Sequence, residues 1–176
     1  MRESGALSVA TRGLLVIVLA LTVQASLVRD LQVAGAFGDV LLLVGIAAAI
    51  ADGPQRGAAF GFAAGMAFDL LQPDIPLGLS ALAYCITGYL VGSIQGSVLR
   101  SSWWIPMLSA AAASALGVAL FVILGKVLGE QIRLSDLPAI VLMVSVLNGL
   151  LALPAVRLMR WVTVSDRGPH LGALAR

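Results

Sequence analysis

Apolar residues fill most of the chain in six runs that short polar segments separate. The runs cover approximately residues 13–28, 36–51, 57–71, 77–99, 103–128 and 137–156. A helix rises about 1.5 Å per residue, so about 20 apolar residues cross the hydrocarbon core of a bilayer. The pattern predicts an all-α membrane protein: a polytopic bundle of six transmembrane helices in a single domain over residues 1–176, with a polar tail over 157–176.

The composition supports this class of protein. The chain is 60% hydrophobic and 11% charged, with a mean hydropathy of +1.01. A soluble domain is about one quarter charged. The net charge of +2 does not indicate a nucleic-acid binder, because the basic residues are spread between apolar runs and are not clustered on one face.

Basic residues are distributed unequally between the two sides of the predicted bundle. Six helices put both termini on one side, and a cytoplasmic placement puts eight of the eleven basic residues there, as the positive-inside rule requires. We therefore predict a multi-pass protein of the cytoplasmic membrane with both termini cytoplasmic. The eight are Arg2, Arg12, Arg56, Arg100, Arg157, Arg160, Arg167 and Arg176, and the other three are Arg29, Lys126 and Arg133.

The first apolar run also has features of a secretory signal peptide. It has a basic start, a Leu-rich centre and a candidate cleavage site at Val23-Gln24-Ala25. The apolar stretch continues through Leu27 and Val28, so we favour a retained first helix over a cleaved one. Either alternative places residue 30 on the outer side.

Small residues recur at four-residue steps between residues 57 and 96. Residues four apart lie on one face of a helix, and small residues let transmembrane helices approach closely. We therefore predict two striped helices joined by a turn that contains Pro73 and Pro76, and we expect the rest of the chain to be arranged around this hairpin. The spacing joins Gly57, Gly61, Gly65 and Asp69 in the third run and Gly88, Gly92 and Gly96 in the fourth.

The glycine stripes allow two interpretations. They pack on each other inside the monomer, which we favour for at least one groove, or one groove receives a helix of another protein. Both can hold, because Ala59, Ala63 and Ala67 form a second small row on the third helix. The stripes are therefore candidate positions for helix packing or for a partner interface.

Asp69 is expected near the outer end of the third helix. As a boundary acid it would reach the lipid headgroups or cap the following turn. We favour a structural ion pair, for which Arg29 and Arg133 are the outer candidates. A proton- or cation-coupled role is less well supported, because no second acid is predicted at mid-membrane depth.

The remaining polar residues do not form a catalytic or metal site. Interhelical hydrogen bonds are expected to satisfy Gln24, Thr87, Ser114 and Asn148. Cys85 is a lone cysteine, and His170 is the single histidine and lies in the polar tail. Walker A, dinucleotide-binding and metal-ligand spacings do not occur in the sequence. We predict no catalytic residue, no metal and no cofactor, and hence no enzymatic activity.

The order of motifs in the predicted hairpin resembles the MreD family. The motifs are GFAAGMAFDLL over 61–71, PLGLSAL over 76–82 and GYLVG over 88–92. The resemblance covers the central forty residues by motif and the rest of the chain by architecture. The family motif falls on Gly61, Gly65, Asp69, Leu70, Pro76, Leu77, Gly78, Gly88 and Gly92.

This resemblance implies a function and partners. The protein would be a non-enzymatic scaffold or regulatory subunit of the bacterial rod-shape elongation complex, in the inner membrane, that supports peptidoglycan synthesis and cell shape. It would bind MreC, which is membrane-anchored and has a periplasmic domain, and act indirectly with MreB, RodA and a class B penicillin-binding protein. Whether it also self-associates is left open.

The resemblance also implies a fold similar to the six-helix substrate-binding subunit of energy-coupling-factor vitamin transporters. Binding of a small vitamin is therefore the alternative function. It requires a polar pocket open to the outside. The predicted external connections are short and hold few hydrogen-bonding side chains, which counts against it.

Overall fold

The computed structural model describes residues 3–30, 39–72, 76–95, 104–130, 135 and 137–163. Within these ranges the chain forms six α-helices and no strand, which confirms the predicted all-α class. The helices are α1 (Glu3–Asp30), α2 (Val40–Asp52), α3 (Pro54–Leu71), α4 (Leu79–Gln95), α5 (Ile105–Val127) and α6 (Leu137–Thr163).

Three of the described helices are long and apolar enough to cross a membrane. They are α5, α6 and the stretch Val9–Ser26 of α1. The apolar helices α2 and α4 are shorter, with 13 and 17 residues, or about 20 and 26 Å. The six-helix count agrees with the sequence pattern, whereas a membrane crossing by every helix stays a prediction.

The first and last helices carry turns that the apolar pattern did not include. α1 begins at Glu3 rather than near residue 13, and α6 continues through Pro154 to Thr163, although residues 157–163 were assigned to a polar tail. Val156, Met159 and Val162 are buried at three-residue steps. These last turns therefore keep an apolar face toward the bundle, which stabilises helix despite the polar residues between them.

The centre of the bundle is occupied by α2, which contacts each of the other five helices. Ten of its thirteen residues are buried: Leu41 to Ala49 without a break, and Ala51. A helix that is apolar on every side is typical of burial on every side. This corrects the expectation that the chain is arranged around the α3–α4 hairpin, because the hairpin itself packs against α2.

The hairpin follows α2 through a one-residue connection. Gly53 has φ of 91°, a left-handed conformation that favours glycine, and Pro54 opens α3 with a backbone that needs no hydrogen-bond acceptor. This tight turn sends α3 back along α2. The contact between α3 and α4 is the most extensive of any helix pair in the described bundle.

The outer surfaces of the longer helices are apolar. Leu14, Leu15 and Leu19 of α1 and Leu142 and Leu150 of α6 are all exposed. A soluble monomer rarely exposes such a continuous apolar surface. Together with the apolar lengths of α1, α5 and α6, this indicates a membrane protein whose periphery faces lipid.

We predict that Ile46→Ala destabilises the protein far more than Leu150→Ala. Ile46 is 0% exposed at the middle of α2 and its truncation leaves a cavity, for which we expect a loss of roughly 2–4 kcal/mol, whereas Leu150 is 62% exposed. The measurement is thermal unfolding in mild detergent, with the remaining fraction of monodisperse protein as the readout. Equal melting temperatures for the two variants would contradict the central position of α2.

Candidate functional site

Two glycines of α3 lie directly against the backbone of α4. A Cβ atom built on Gly65 would lie 2.5 Å from the Ser80 carbonyl oxygen and from the Ala81 Cα. One built on Gly57 would lie 2.6 Å from the Gly88 carbonyl oxygen. Non-bonded carbon atoms prefer about 3.5–4.0 Å, so any side chain here forces the two backbones apart.

Gly61 lies where three helices cross. A Cβ atom on Gly61 would overlap the backbone carbonyl of Tyr84 in α4, and one on Gly45 in α2 would lie 2.8 Å from the Gly61 Cα. At the far end of α4, a Cβ on Gly92 would lie 2.5 Å from the Pro54 Cα. The backbones of α2, α3 and α4 therefore meet with no side chain between them.

The two glycine stripes thus pack on each other, which is the internal-packing interpretation. The second small row of α3 does not take part in the same way, because Ala59 and Ala63 are exposed and Ala67 is half-buried. Ala59 and Ala63 therefore remain on the surface, whereas Ala67 packs against the core. Gly96, the last glycine of the predicted stripe, lies outside the described residues.

The carboxylate of Asp69 bonds to the start of α4 from the neighbouring helix. Its Oδ2 accepts from the Gly78 N–H at 2.8 Å and the Ala81 N–H at 3.3 Å, and its Oδ1 accepts from the Ser80 N–H at 3.2 Å. The first N–H groups of a helix have no acceptor inside it, and a negative charge there is favourable. Asp69, which is buried, therefore caps α4.

The structure shows the capping role for Asp69, which was the alternative to the ion pair favoured from the sequence. Three backbone amides bind the carboxylate, and the ion pair with Arg29 or Arg133 stays a prediction. The side chains of Arg29 and Arg133 lie outside the part of the chain described in atomic detail.

The turn before α4 depends on Gly78. Its φ of 97° strains any other residue, although no atom of the described residues lies within 4 Å of the place a Cβ would take. The Leu79 N–H bonds to the Pro76 carbonyl at 3.1 Å, and the Leu82 N–H bonds to the Gly78 carbonyl at 2.9 Å. The motif residues Pro76 and Gly78 therefore shape the turn that presents an amide to Asp69.

A second capped helix start lies where α2 begins, at residues that are half-buried. Asp39 caps it: Oδ1 accepts from the Leu42 N–H at 2.9 Å, and Oδ2 accepts from the Tyr84 hydroxyl of α4. Gln24 of α1 accepts from the Val40 N–H through Oε1 at 2.9 Å. Side chains of α1 and α4 thus satisfy polar groups at the start of α2.

Asn148 and Ser114 extend this polar cluster to α6 and α5. The Asn148 Nδ2 donates to the Ser114 Oγ at 2.9 Å and to the Asp39 carbonyl at 3.1 Å. Both side chains are fully buried. Asn148 lies about 16 Å along α6 from its first residue, so these bonds form deep within the bundle. The cluster of Gln24, Asp39, Tyr84, Ser114 and Asn148 joins α1, α4, α5 and α6 around the start of α2.

The interhelical hydrogen bonds predicted for Gln24, Ser114 and Asn148 are confirmed, but the one for Thr87 is wrong. The Thr87 hydroxyl donates to the Ala83 carbonyl of its own helix at 2.8 Å. Sequence reasoning missed the pairing of Asp39 with Tyr84. An acid directly before an apolar helical run is a capping pattern, so the role of Asp39 at the start of α2 could be predicted. Its bond to Tyr84 could not, because the two residues are 45 positions apart and no local pattern connects them.

A recess between α1 and α3 is one surface feature of the described residues that bears on small-molecule binding. The described residues that line it are Leu21, Thr22, Ala25, Ser26 and Leu71. Its two hydroxyl groups already donate within α1, from Thr22 to the Val18 carbonyl and from Ser26 to the Thr22 carbonyl. The lining therefore offers little specific recognition for a polar vitamin.

Comparison with known proteins identifies the family. A family model described as rod shape-determining protein MreD matches residues 7–162 of the 176. The chain belongs to the MreD family. The match runs from the first turns of α1 nearly to the end of α6, so the resemblance seen in the hairpin extends over the whole bundle. No curated protein and no solved structure matches significantly, and the likeness to vitamin-transporter subunits stays a prediction.

We predict that Gly65→Leu prevents stable packing of this MreD-family protein, whereas Ala63→Leu does not. Gly65 faces the α4 backbone, while Ala63 is exposed on the same helix. Both variants place a leucine on α3, at a packed position in one and at an exposed position in the other. The measurement is the yield of monodisperse protein in mild detergent and its melting temperature. A Gly65→Leu variant as stable as Ala63→Leu would contradict the packing described.

We also predict that Tyr84→Phe destabilises the protein by roughly 1–2 kcal/mol, because it leaves a buried acceptor of Asp39 without its donor. Tyr89→Phe is the matched control in the same helix, since Tyr89 is 52% exposed. Thermal unfolding in detergent compares the two. Indistinguishable melting temperatures would show that the Tyr84 hydroxyl does not stabilise the start of α2.

Proposed function

We propose that this protein is a non-enzymatic membrane scaffold of the rod-shape elongation complex that binds MreC and so supports peptidoglycan synthesis and cell shape. The observation that carries the proposal is the family match over residues 7–162, which gives a role in rod shape determination. The protein would act on MreB, RodA and a class B penicillin-binding protein indirectly, through its contact with MreC.

The use of the buried polar groups supports a scaffold. Asp69 and Asp39 accept from backbone amides at helix starts, and Asn148 joins two helices. Groups held in this way fix the positions of helices and are not presented to a substrate. A rigid bundle of this kind suits a protein that positions its partners in the membrane.

The exposed small row of α3 supports a contact with the membrane anchor of MreC. Ala59 and Ala63 lie four residues apart on the lipid-facing side, so a partner helix can approach the α3 backbone closely. Lipid does not compete by a hydrophobic effect, and close packing is what drives such association. The glycine stripes already pack against each other inside the protein. We therefore assign the docking face to Ala59 and Ala63.

The distribution of basic residues supports the proposed orientation. With both termini cytoplasmic, Arg56 in the first turn of α3 and Arg157 near the end of α6 lie at the cytoplasmic side. The Asp69-capped turn then lies at the periplasmic side. A periplasmic domain that follows the MreC anchor would begin near this turn.

Co-purification with MreC and restoration of rod shape test the proposal. We expect the wild type to retain MreC in mild detergent and to restore rods in cells that lack their own copy. Ala59→Leu/Ala63→Leu should fold but lose both properties, because larger side chains cover the docking face. Ala112→Leu/Ala119→Leu, which adds the same atoms to exposed positions of α5, should keep both.

Failure of the wild type to retain MreC or to restore rods would refute the scaffold function. If the wild type succeeds and the α3 variant behaves as the α5 control does, the function stands and the assigned docking face is wrong.

A further inference from the structure

The end of α6 is tied to α1 by an arginine and a tryptophan. The Arg12 guanidinium carbon lies 4.8 Å from the centre of the Trp161 ring, and Arg12 Nη1 donates to the Trp161 carbonyl at 3.3 Å. A cation is attracted by the face of an aromatic ring and by the carbonyl end of a helix. The Trp161 ring, which is half exposed, is therefore held at a fixed place on the surface.

Two further arginines lie in the same last turns of α6 as Trp161. Arg157 is four residues before Trp161 and Arg160 is three residues after Arg157, so these positions share one side of the last turns of α6. Arg157 and Arg160 are both exposed, and the structure records no ion pair between either of them and any residue that it describes. Their charge is available to a ligand from outside the bundle.

This basic surface lies at the boundary of the apolar part of the protein. Residues 137–156, which precede Arg157, and residues 13–28, which follow Arg12, contain no charged side chain. Leu15 and Leu150 are exposed on the apolar side of the boundary. Tryptophan is typical of the level where lipid headgroups meet the hydrocarbon core.

We propose that Arg157 and Arg160, together with the Trp161 ring held by Arg12, form a binding site for the headgroup phosphate of an anionic phospholipid. Guanidinium groups bind phosphate oxygens through two parallel charge-assisted hydrogen bonds. The acyl chains of the bound lipid would lie along Leu15 and Leu150. The positive group of a zwitterionic headgroup is repelled by the paired arginines, so the site selects net negative lipids.

The fixed geometry goes beyond what membrane insertion requires. The positive-inside rule needs basic residues near the membrane surface but no defined relation among them. Here the contact of Arg12 with Trp161 joins two helices and fixes an aromatic ring in the helix turns that carry the two exposed arginines. Lipid selectivity at this surface is independent of the proposed MreC contact on α3.

Quenching of Trp161 fluorescence by brominated lipids tests the site directly. The chain has three tryptophans, so Trp103→Phe/Trp104→Phe leaves Trp161 as the only one. This full-length parent is reconstituted in phosphatidylcholine vesicles with increasing fractions of brominated phosphatidylglycerol or brominated phosphatidylcholine. We expect the anionic lipid to associate more tightly than the zwitterionic one, by roughly fivefold for each of the two arginines.

Variants separate the site from general attraction to the membrane. Arg157→Gln/Arg160→Gln should abolish the preference, Arg157→Lys/Arg160→Lys should retain most of it, and Lys126→Gln at the exposed end of α5 should leave it unchanged. Equal quenching by both lipids in the parent overturns the proposal without any variant. A preference that survives Arg157→Gln/Arg160→Gln, or that Lys126→Gln removes, overturns it as well.

Discussion

Backbone amides at the start of a helix need acceptors, and in this bundle α2 begins at half-buried residues and α4 at buried ones. Away from water, an unpaired amide is costly, so each buried start must be capped by a side chain. Asp39 and Gln24 supply the acceptors for α2, and Asp69 supplies them for α4. Because these acceptors come in part from other helices, capping also fixes how the helices are placed.

Close packing around α2 follows from the same constraint. α2 is surrounded by the five other helices, and its polar start is reached by side chains from α1, α4 and α6. The glycines at α2, α3 and α4 crossings bring the helices near enough for short side chains such as Asp69 to reach a neighbouring backbone. Glycine packing and capping therefore depend on each other, and both suit a protein whose proposed role is to hold partners in place.

Local patterns in the sequence predict the all-α class, the helix count and the glycine stripes, since each depends on spacing within one segment. The MreD resemblance was also readable from the hairpin, because its motifs lie within forty residues. The central position of α2 could not be predicted from the sequence. An apolar helix has the same hydropathy whether lipid or other helices surround it. The pairing of Tyr84 with Asp39 and of Asn148 with Ser114 depends on tertiary placement, and the end of α6 was misjudged because polar residues there hide a buried apolar face.

Residue-resolved hydrogen–deuterium exchange of the full-length protein in lipid nanodiscs tests the capping of buried helix starts most directly. In the wild type, the amides of Gly78, Ser80 and Ala81 should exchange as slowly as amides in the middle of α4, because Asp69 accepts from all three. In Asp69→Ala these three amides should exchange faster while the middle of α4 stays protected. Fast exchange of the three amides in the wild type, or rates that Asp69→Ala leaves unchanged, would contradict the account.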